Sequence, residues 1–409
     1  MAAENYNAEK FLMAAAENSA VDKYGRSKMP TPLKEYFLEL AHAKENGKKL
    51  ILVTGAFPME LVYACDCIPV CGDLLVTQMV EDQEAVAEFA KKTEIKINPQ
   101  LCGYSKALLG SVVFTSEEKP VGYITASYPC NSHVNCSNTV CSLLGVPYFN
   151  FDMPKRKSQA TIEFLATQLP ALVEFIEQVS GNKMDFEKLR ELMAVSNKSN
   201  ALYREYQELR LSRPCPMSSR DIFLSELLYG LSSKESTVSY LKNEIAFCKS
   251  LTPTKEEKHR LFLMHNMPYR SIEIMDWLEE KYDTYTVIDG FVDLSHIYRP
   301  FSNQDEMYMS LAEKMFGAPP QHSSVAYLDE LLEFVDLAMD KYGADVPIYL
   351  GNAGCRHSWS VTKVLSDTIQ AKYGIYPLLI DINNVDYRYK GMDEIKSAIS
   401  EYMETVVHA

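Results

Sequence analysis

The 409-residue sequence has no apolar run approaching the roughly 20 residues that span a bilayer. Its opening, MAAENYNAEKFLMAAAENSAVDKYGRSKMP, lacks a basic segment leading into an apolar core, so no secretory signal is expected. These two absences point to a cytoplasmic protein without a membrane partner. No basic stripe interrupts a net charge of −14, which argues against nucleic acid as a partner. No G-x4-G-K-S/T stretch is present, so ATP hydrolysis by a P-loop is not expected. Without an export signal the ten cysteines are not expected to form disulfides; reduced thiols, metal ligands or redox groups remain.

What is present is a globular composition, 47% hydrophobic and 11% aromatic, in a chain long enough for more than one domain. An amphipathic helical segment occupies residues 1–45. KKLILVTGAFPMELVYACDCIPV then reads as strand, Pro58-containing loop, helix and short strand, and EKPVGYITASYPC as a strand running to Cys130. A helix and the strand GVPYFNFD follow. Residues 158–255 change to a helical period, with Ile162, Leu165, Ala166, Leu169, Val173 and Ile176 on one face, and RDIFLSELLYGLSSKESTVSYLKNEIAF reads as a further helix. From residue 256 the first plan returns: HRLFLMHNMPYRSIEIMDWLEEKYDTYTVID, then VPIYLGNAGC ending at Cys355, then GIYPLLID. Gly145 and Gly374 should close helices, and Asp152 and Asp381 should end strands. The expected fold is α/β: two related parallel-sheet, flavodoxin-like domains (46–157 and 256–409) joined by a helical section.

Cys130 and Cys355 then occupy equivalent places just past strand C-termini, where open α/β sheets bind ligands. Cys102 lies after Pro99 at an expected helix start, where the positive dipole end favours a thiolate. Three cysteines from three loops suit an iron–sulfur cluster with one iron lacking a cysteine, or they are simply small buried thiols. A local zinc site from Cys130, His133, Cys136 and Cys141 is the rival, but a helix there separates Cys141 from Cys130 by about three turns. Cys136 and Cys141 read as packing residues on that helix, as do Cys65, Cys67 and Cys71, where a helix end runs into a strand.

CGYSKALLG after Pro99, PCNSHVN after one strand and NAGCRHSW after another occur in that order, accompanied by FPMEL, RPCPMSSRDIF and GIYPLLIDINNVDYR. At these residues the chain resembles the α subunits of 2-hydroxyacyl-CoA dehydratases, a superfamily shared with ATP-dependent benzoyl-CoA reductases. The resemblance covers most of the chain from about residue 45. It departs from the family in DINNVDYR, where dehydratases commonly carry Gly-Asp, and in a second cysteine region poorer in asparagine and cysteine.

The resemblance implies a [4Fe–4S] cluster held by Cys102, Cys130 and Cys355 with one iron open to the thioester oxygen. It implies elimination of water from an (R)-2-hydroxyacyl-CoA to an enoyl-CoA. One-electron reduction of the thioester carbonyl gives a ketyl radical that expels hydroxide from carbon 2, after which the proton on carbon 3 becomes acidic. It implies a homologous β subunit in a heterodimer, a separate ATP-dependent iron–sulfur activator and an anaerobic source. Thr54, Glu60, Arg356 and His357 are placed to reach the cleft and are the candidate catalytic residues; Arg388 and Lys390 are candidate CoA phosphate contacts. An aryl- or acyl-CoA reductase subunit and a non-catalytic electron-transfer protein are the alternatives, and the acyl group stays open.

Overall fold

Leu50–Val53 (β1), Ile68–Cys71 (β2), Gly122–Ala126 (β3) and Tyr148–Phe151 (β4) form an all-parallel sheet in the order β2-β1-β3-β4. The computed structural model describes residues 8–407 apart from 18–19, 21, 23–24, 54–56, 80–81, 116–118, 128–129, 222–227, 253–255, 266–270, 291–295 and 318–327. A second parallel sheet repeats the plan: His259–His265 (β5), Thr284–Asp289 (β6), Val346–Asn352 (β7) and Leu378–Ile382 (β8), in the order β6-β5-β7-β8. The expected pair of related, flavodoxin-like sheets is therefore observed. In each, the chain adds its second strand on one side of the first and its third on the other. That reversal leaves a crevice at the C-terminal ends of the first and third strands.

The strand sequences follow from position. β7 is buried along all seven residues, as a central parallel strand covered on both faces should be. The edge strand β4 buries only Phe151 completely. The edge strand β2 is covered instead: Tyr36, from the helix Thr31–Ala41, donates its hydroxyl proton to the Pro69 carbonyl and accepts from the Cys71 N–H, each at 2.8 Å. Gly145 and Gly374 cap their helices in the left-handed conformation, as the sequence suggests.

Between the sheets run the helices Gln159–Ser180, Phe186–Glu208 and Glu235–Ser250. The first begins in a capping box between Ser158 and Thr161 and buries the expected stripe from Ile162 to Ile176. The continuous helix expected across residues 220–247 is not formed. A 3-10 turn spans Tyr229–Leu231, and the following helix starts only at Glu235 after an extended Lys234. One cause is visible: Thr237 Oγ1 donates to the Leu231 carbonyl at 2.7 Å, competing with the helical backbone pattern. The part of that stretch at 222–227 lies outside the described residues.

Candidate metal centre

Cys130 stands four residues past β3 as the N-cap of the helix Asn131–Leu144, and Cys355 stands three past β7 as the N-cap of the short helix Arg356–Trp359. Cys102 immediately precedes the helix Gly103–Thr115. Backbone N–H groups of Tyr104 and Ser105 favour a negative Cys102 sulfur, and those of Ser132 and His133 do the same for Cys130. These N–H groups belong to the first turn of their helices. The three thiols are also near enough to feel one another. Burial first, and then the Cys355 sulfur, push Cys102 up to about 11; burial and then Cys102 push Cys130 up to about 12, with Cys355 adding to it. Alone, the Cys102 and Cys130 sulfurs are neutral thiols at pH 7; a cationic centre would convert them to thiolates.

Contacts between the two halves hold this arrangement. Gly354, at φ +81°, lies so close under the Cys102 loop that a Cβ would come within 2.7 Å of the Gln100 carbonyl oxygen, so only glycine fits both the angle and the space. Asn352 Nδ2 donates to Cys102 Sγ at 3.0 Å. Lys106 fixes the other side of the loop, donating to the Pro99 carbonyl at 2.9 Å and to Glu94 at 2.8 Å. Arg388 joins Glu94 at 3.1 Å and Asp386 at 2.8 Å. The sequence suggested Arg388 as a phosphate contact; its guanidinium is instead clamped between two carboxylates.

Cys136 lies within electrostatic reach of Cys130 and Cys102 but differs from them in being 1% exposed. Cys136 is buried with its thiol toward the Ser105 carbonyl at 3.3 Å, and Cys141 is buried farther along the same helix, about 16 Å from Cys130 at 1.5 Å per residue. Burial pushes Cys141 up to about 12. Cys65, Cys67 and Cys71 belong to the main apolar core, and Cys215 and Cys248 to a second. Among the described residues no three His, Cys, Asp or Glu side chains surround a single metal ion. Partly accessible thiols within electrostatic reach of one another are a donor set that fits an iron–sulfur group.

Of the four catalytic candidates, Thr54 lies outside the described residues. Arg356 and His357 are exposed beside Cys355. The protein around its ring, and secondly the Lys155 charge, lower the His357 pKa below the ordinary imidazole value. Glu60 is neither solvated nor beside the cysteines among the contacts described. It is 1% exposed, and its Oε1 accepts from Lys314 Nζ at 2.6 Å, Ser196 Oγ at 2.6 Å and Tyr298 OH at 3.0 Å.

Two polar residues escaped the sequence reading. Asn352 carried no signal beyond its place three residues before Cys355. His265 ends β5 with φ +70°, uncommon for a residue other than glycine. Its ring is 4% exposed, Nδ1 approaches the Leu350 carbonyl at 3.4 Å, and Nε2 has no partner among the described residues. It stacks near Tyr349, and both line a cavity of about 10 Å³, room for one water.

Burial lowers the His265 pKa to about 4. The unfolded chain therefore binds this proton first, and stability is lost as pH falls from the unfolded value near 6.5 toward 4, by up to about 3 kcal/mol. His296, also lowered to about 4 by burial and then Lys314, adds in the same direction. We expect His265→Asn, which tolerates the positive φ, to flatten the loss of stability between pH 6.5 and 4, measured by denaturant midpoints at each pH. A profile parallel to wild type would contradict a buried neutral imidazole.

Comparison with known proteins bears on this geometry. The family described as 2-hydroxyglutaryl-CoA dehydratase, D-component, matches residues 54–406. The chain is 22% identical over 269 residues to the (R)-2-hydroxyisocaproyl-CoA dehydratase alpha subunit of Clostridioides difficile, covering 58% of this chain and 62% of that one. It is 21% identical over 190 residues to the (R)-phenyllactyl-CoA dehydratase alpha subunit of Clostridium sporogenes, covering 44% and 47%. The similarity thus spans less than two thirds of either relative's length. With a family match running from the end of β1 nearly to the last described residue, the chain belongs to the 2-hydroxyglutaryl-CoA dehydratase D-component family.

Proposed function

We propose that this chain is the iron–sulfur, α-type subunit of an (R)-2-hydroxyacyl-CoA dehydratase, with Cys102, Cys130 and Cys355 as ligands of a [4Fe–4S] cluster. The observation that carries the reading is the convergence of these three thiols from three separated segments, with backbone N–H groups beside Cys102 and Cys130, in a chain of this family. When bound, a cluster with one iron lacking a cysteine supplies one-electron chemistry and Lewis acidity at the substrate's thioester carbonyl.

The protein's own part is electrostatic and positional. The N–H groups of Tyr104, Ser105, Ser132 and His133 hold negative charge on the sulfurs. Arg356, exposed beside Cys355, supplies a planar cation for the anion that develops on the thioester oxygen or for a CoA phosphate. His357, held neutral at pH 7, can accept the carbon-3 proton. That proton and the hydroxide from carbon 2 leave together as water, and the reaction is redox-neutral once the electron returns. A homologous β subunit and a separate ATP-dependent activator complete the proposed system.

The test is to purify the chain without oxygen, alone and with its partner subunit, and assay iron, acid-labile sulfide and zinc. About four iron and four sulfide per chain are expected, with a spectrum that changes on adding a 2-hydroxyacyl-CoA. Zinc without sulfide would overturn the reading.

A further inference from the structure

The side-chain amide of Asn352, the last residue of β7, is used at both ends. The residue is 2% exposed; its Oδ1 accepts from the Asn384 backbone N–H at 3.1 Å, and its Nδ2 donates to Cys102 Sγ at 3.0 Å. This orientation is forced. A backbone N–H can only donate, so the amide oxygen must face Asn384 and the NH2 must face the sulfur. The Cys102 sulfur therefore meets a fixed neutral donor reaching it from 250 residues along the chain. Asn384 is fully buried, and neither atom of its own amide has a partner among the described residues, so further hydrogen-bonding capacity lies unused beside this contact.

We propose that Asn352 is a positioning residue that sets the charge carried by the Cys102 sulfur and so raises the reduction potential of the centre bound there. The inference deepens the dehydratase reading and, for the potential, rests on it. A donor to a ligand sulfur stabilises the more electron-rich, reduced state, because that state places more negative charge on sulfur. The Asn384 N–H holds the donor in aim, which ties the tuning to the segment following β8.

Asn352→Leu removes the donor, and Asn352→Asp keeps the shape while replacing the NH2 with an acceptor. Both are to be purified without oxygen, their iron counted, and their midpoint potentials measured by redox titration followed by electron paramagnetic resonance. Retained iron with a more negative potential in both, more so in Asn352→Asp, is expected. Retained iron at an unchanged potential overturns the proposal. Loss of iron from both variants, with wild type loaded, also overturns it, since Asn352 would then only build the site. If wild type itself holds no cluster, the dehydratase reading fails, and the Asn352 contact is decided by iodoacetamide alkylation of Cys102 in the metal-free protein. A fall of about three- to tenfold in Asn352→Leu supports the contact; equal rates overturn it.

Discussion

Cys102→Ala, Cys130→Ala and Cys355→Ala are each expected to lose iron and dehydratase activity together, whereas Cys136→Ala and Cys141→Ala keep both. The expectation follows from where the sulfurs lie. Cys102, Cys130 and Cys355 are partly accessible and within electrostatic reach of one another, and backbone N–H groups stand beside Cys102 and Cys130; Cys136 feels the same charges but is buried. Cys136 and Cys141 are buried among Leu108, Val112 and Val140, where alanine removes one sulfur atom from an apolar cluster. A small cavity there costs about 1 kcal/mol or less in stability and should leave the metal content intact. The measurement is iron and sulfide per chain in all five variants, prepared side by side without oxygen. Stoichiometric iron in Cys355→Ala would exclude it as a ligand; iron lost from Cys136→Ala would move the centre onto the helix Asn131–Leu144. A midpoint of unfolding taken on each metal-free variant separates loss of a ligand from loss of fold.

The contrast between these cysteines is partly legible in the sequence. Apolar runs rich in Val, Ile, Leu and Tyr, punctuated by Gly145 and Gly374, mark the strands and helices, so the two-sheet plan and the strand-end positions of Cys130 and Cys355 could be read directly. Local pattern carries that information because each element is specified by its own residues. The contacts that complete the site are of another kind. Asn352 meets Cys102 across 250 positions, and Glu60 meets Ser196, Tyr298 and Lys314 across 136, 238 and 254. No periodicity announces such pairs; they exist only once both sheets have formed. The helix break before Glu235 accompanies the bond from Thr237 Oγ1 to the Leu231 carbonyl, a side-chain choice that the spacing of apolar residues does not reveal.

Lys314→Met is expected to produce the largest loss of stability, about 3–5 kcal/mol at pH 7, by leaving the Glu60 carboxylate buried without its cation. Lys314 and Glu60 are 3% and 2% exposed at their side chains and 2.6 Å apart, so water cannot take the ammonium's place. Burial alone would raise the Glu60 pKa; the Lys314 charge, its hydrogen bond and that of Ser196 outweigh it and hold the carboxylate below its ordinary value. The sign of the pH dependence follows. In wild type the pair stabilises the fold above the unfolded carboxylate pKa, near 4.5, and that contribution fades as pH falls through the lowered folded value. In Lys314→Met the carboxylate is raised instead, so it protonates on acidification and the deficit relative to wild type shrinks. Glu60→Gln combined with Lys314→Met should recover most of the loss, because a neutral amide can still accept from Ser196 and Tyr298. Urea midpoints of the wild type, the single variant and the double variant at pH 7 and pH 5 test the argument. A single variant as stable as wild type at pH 7, or a deficit that widens at pH 5, would show that Glu60 does not carry its charge in the fold. Because Glu60 begins the helix after β1 while Lys314 and Tyr298 follow β6, the pair ties a loop of the first sheet to one of the second.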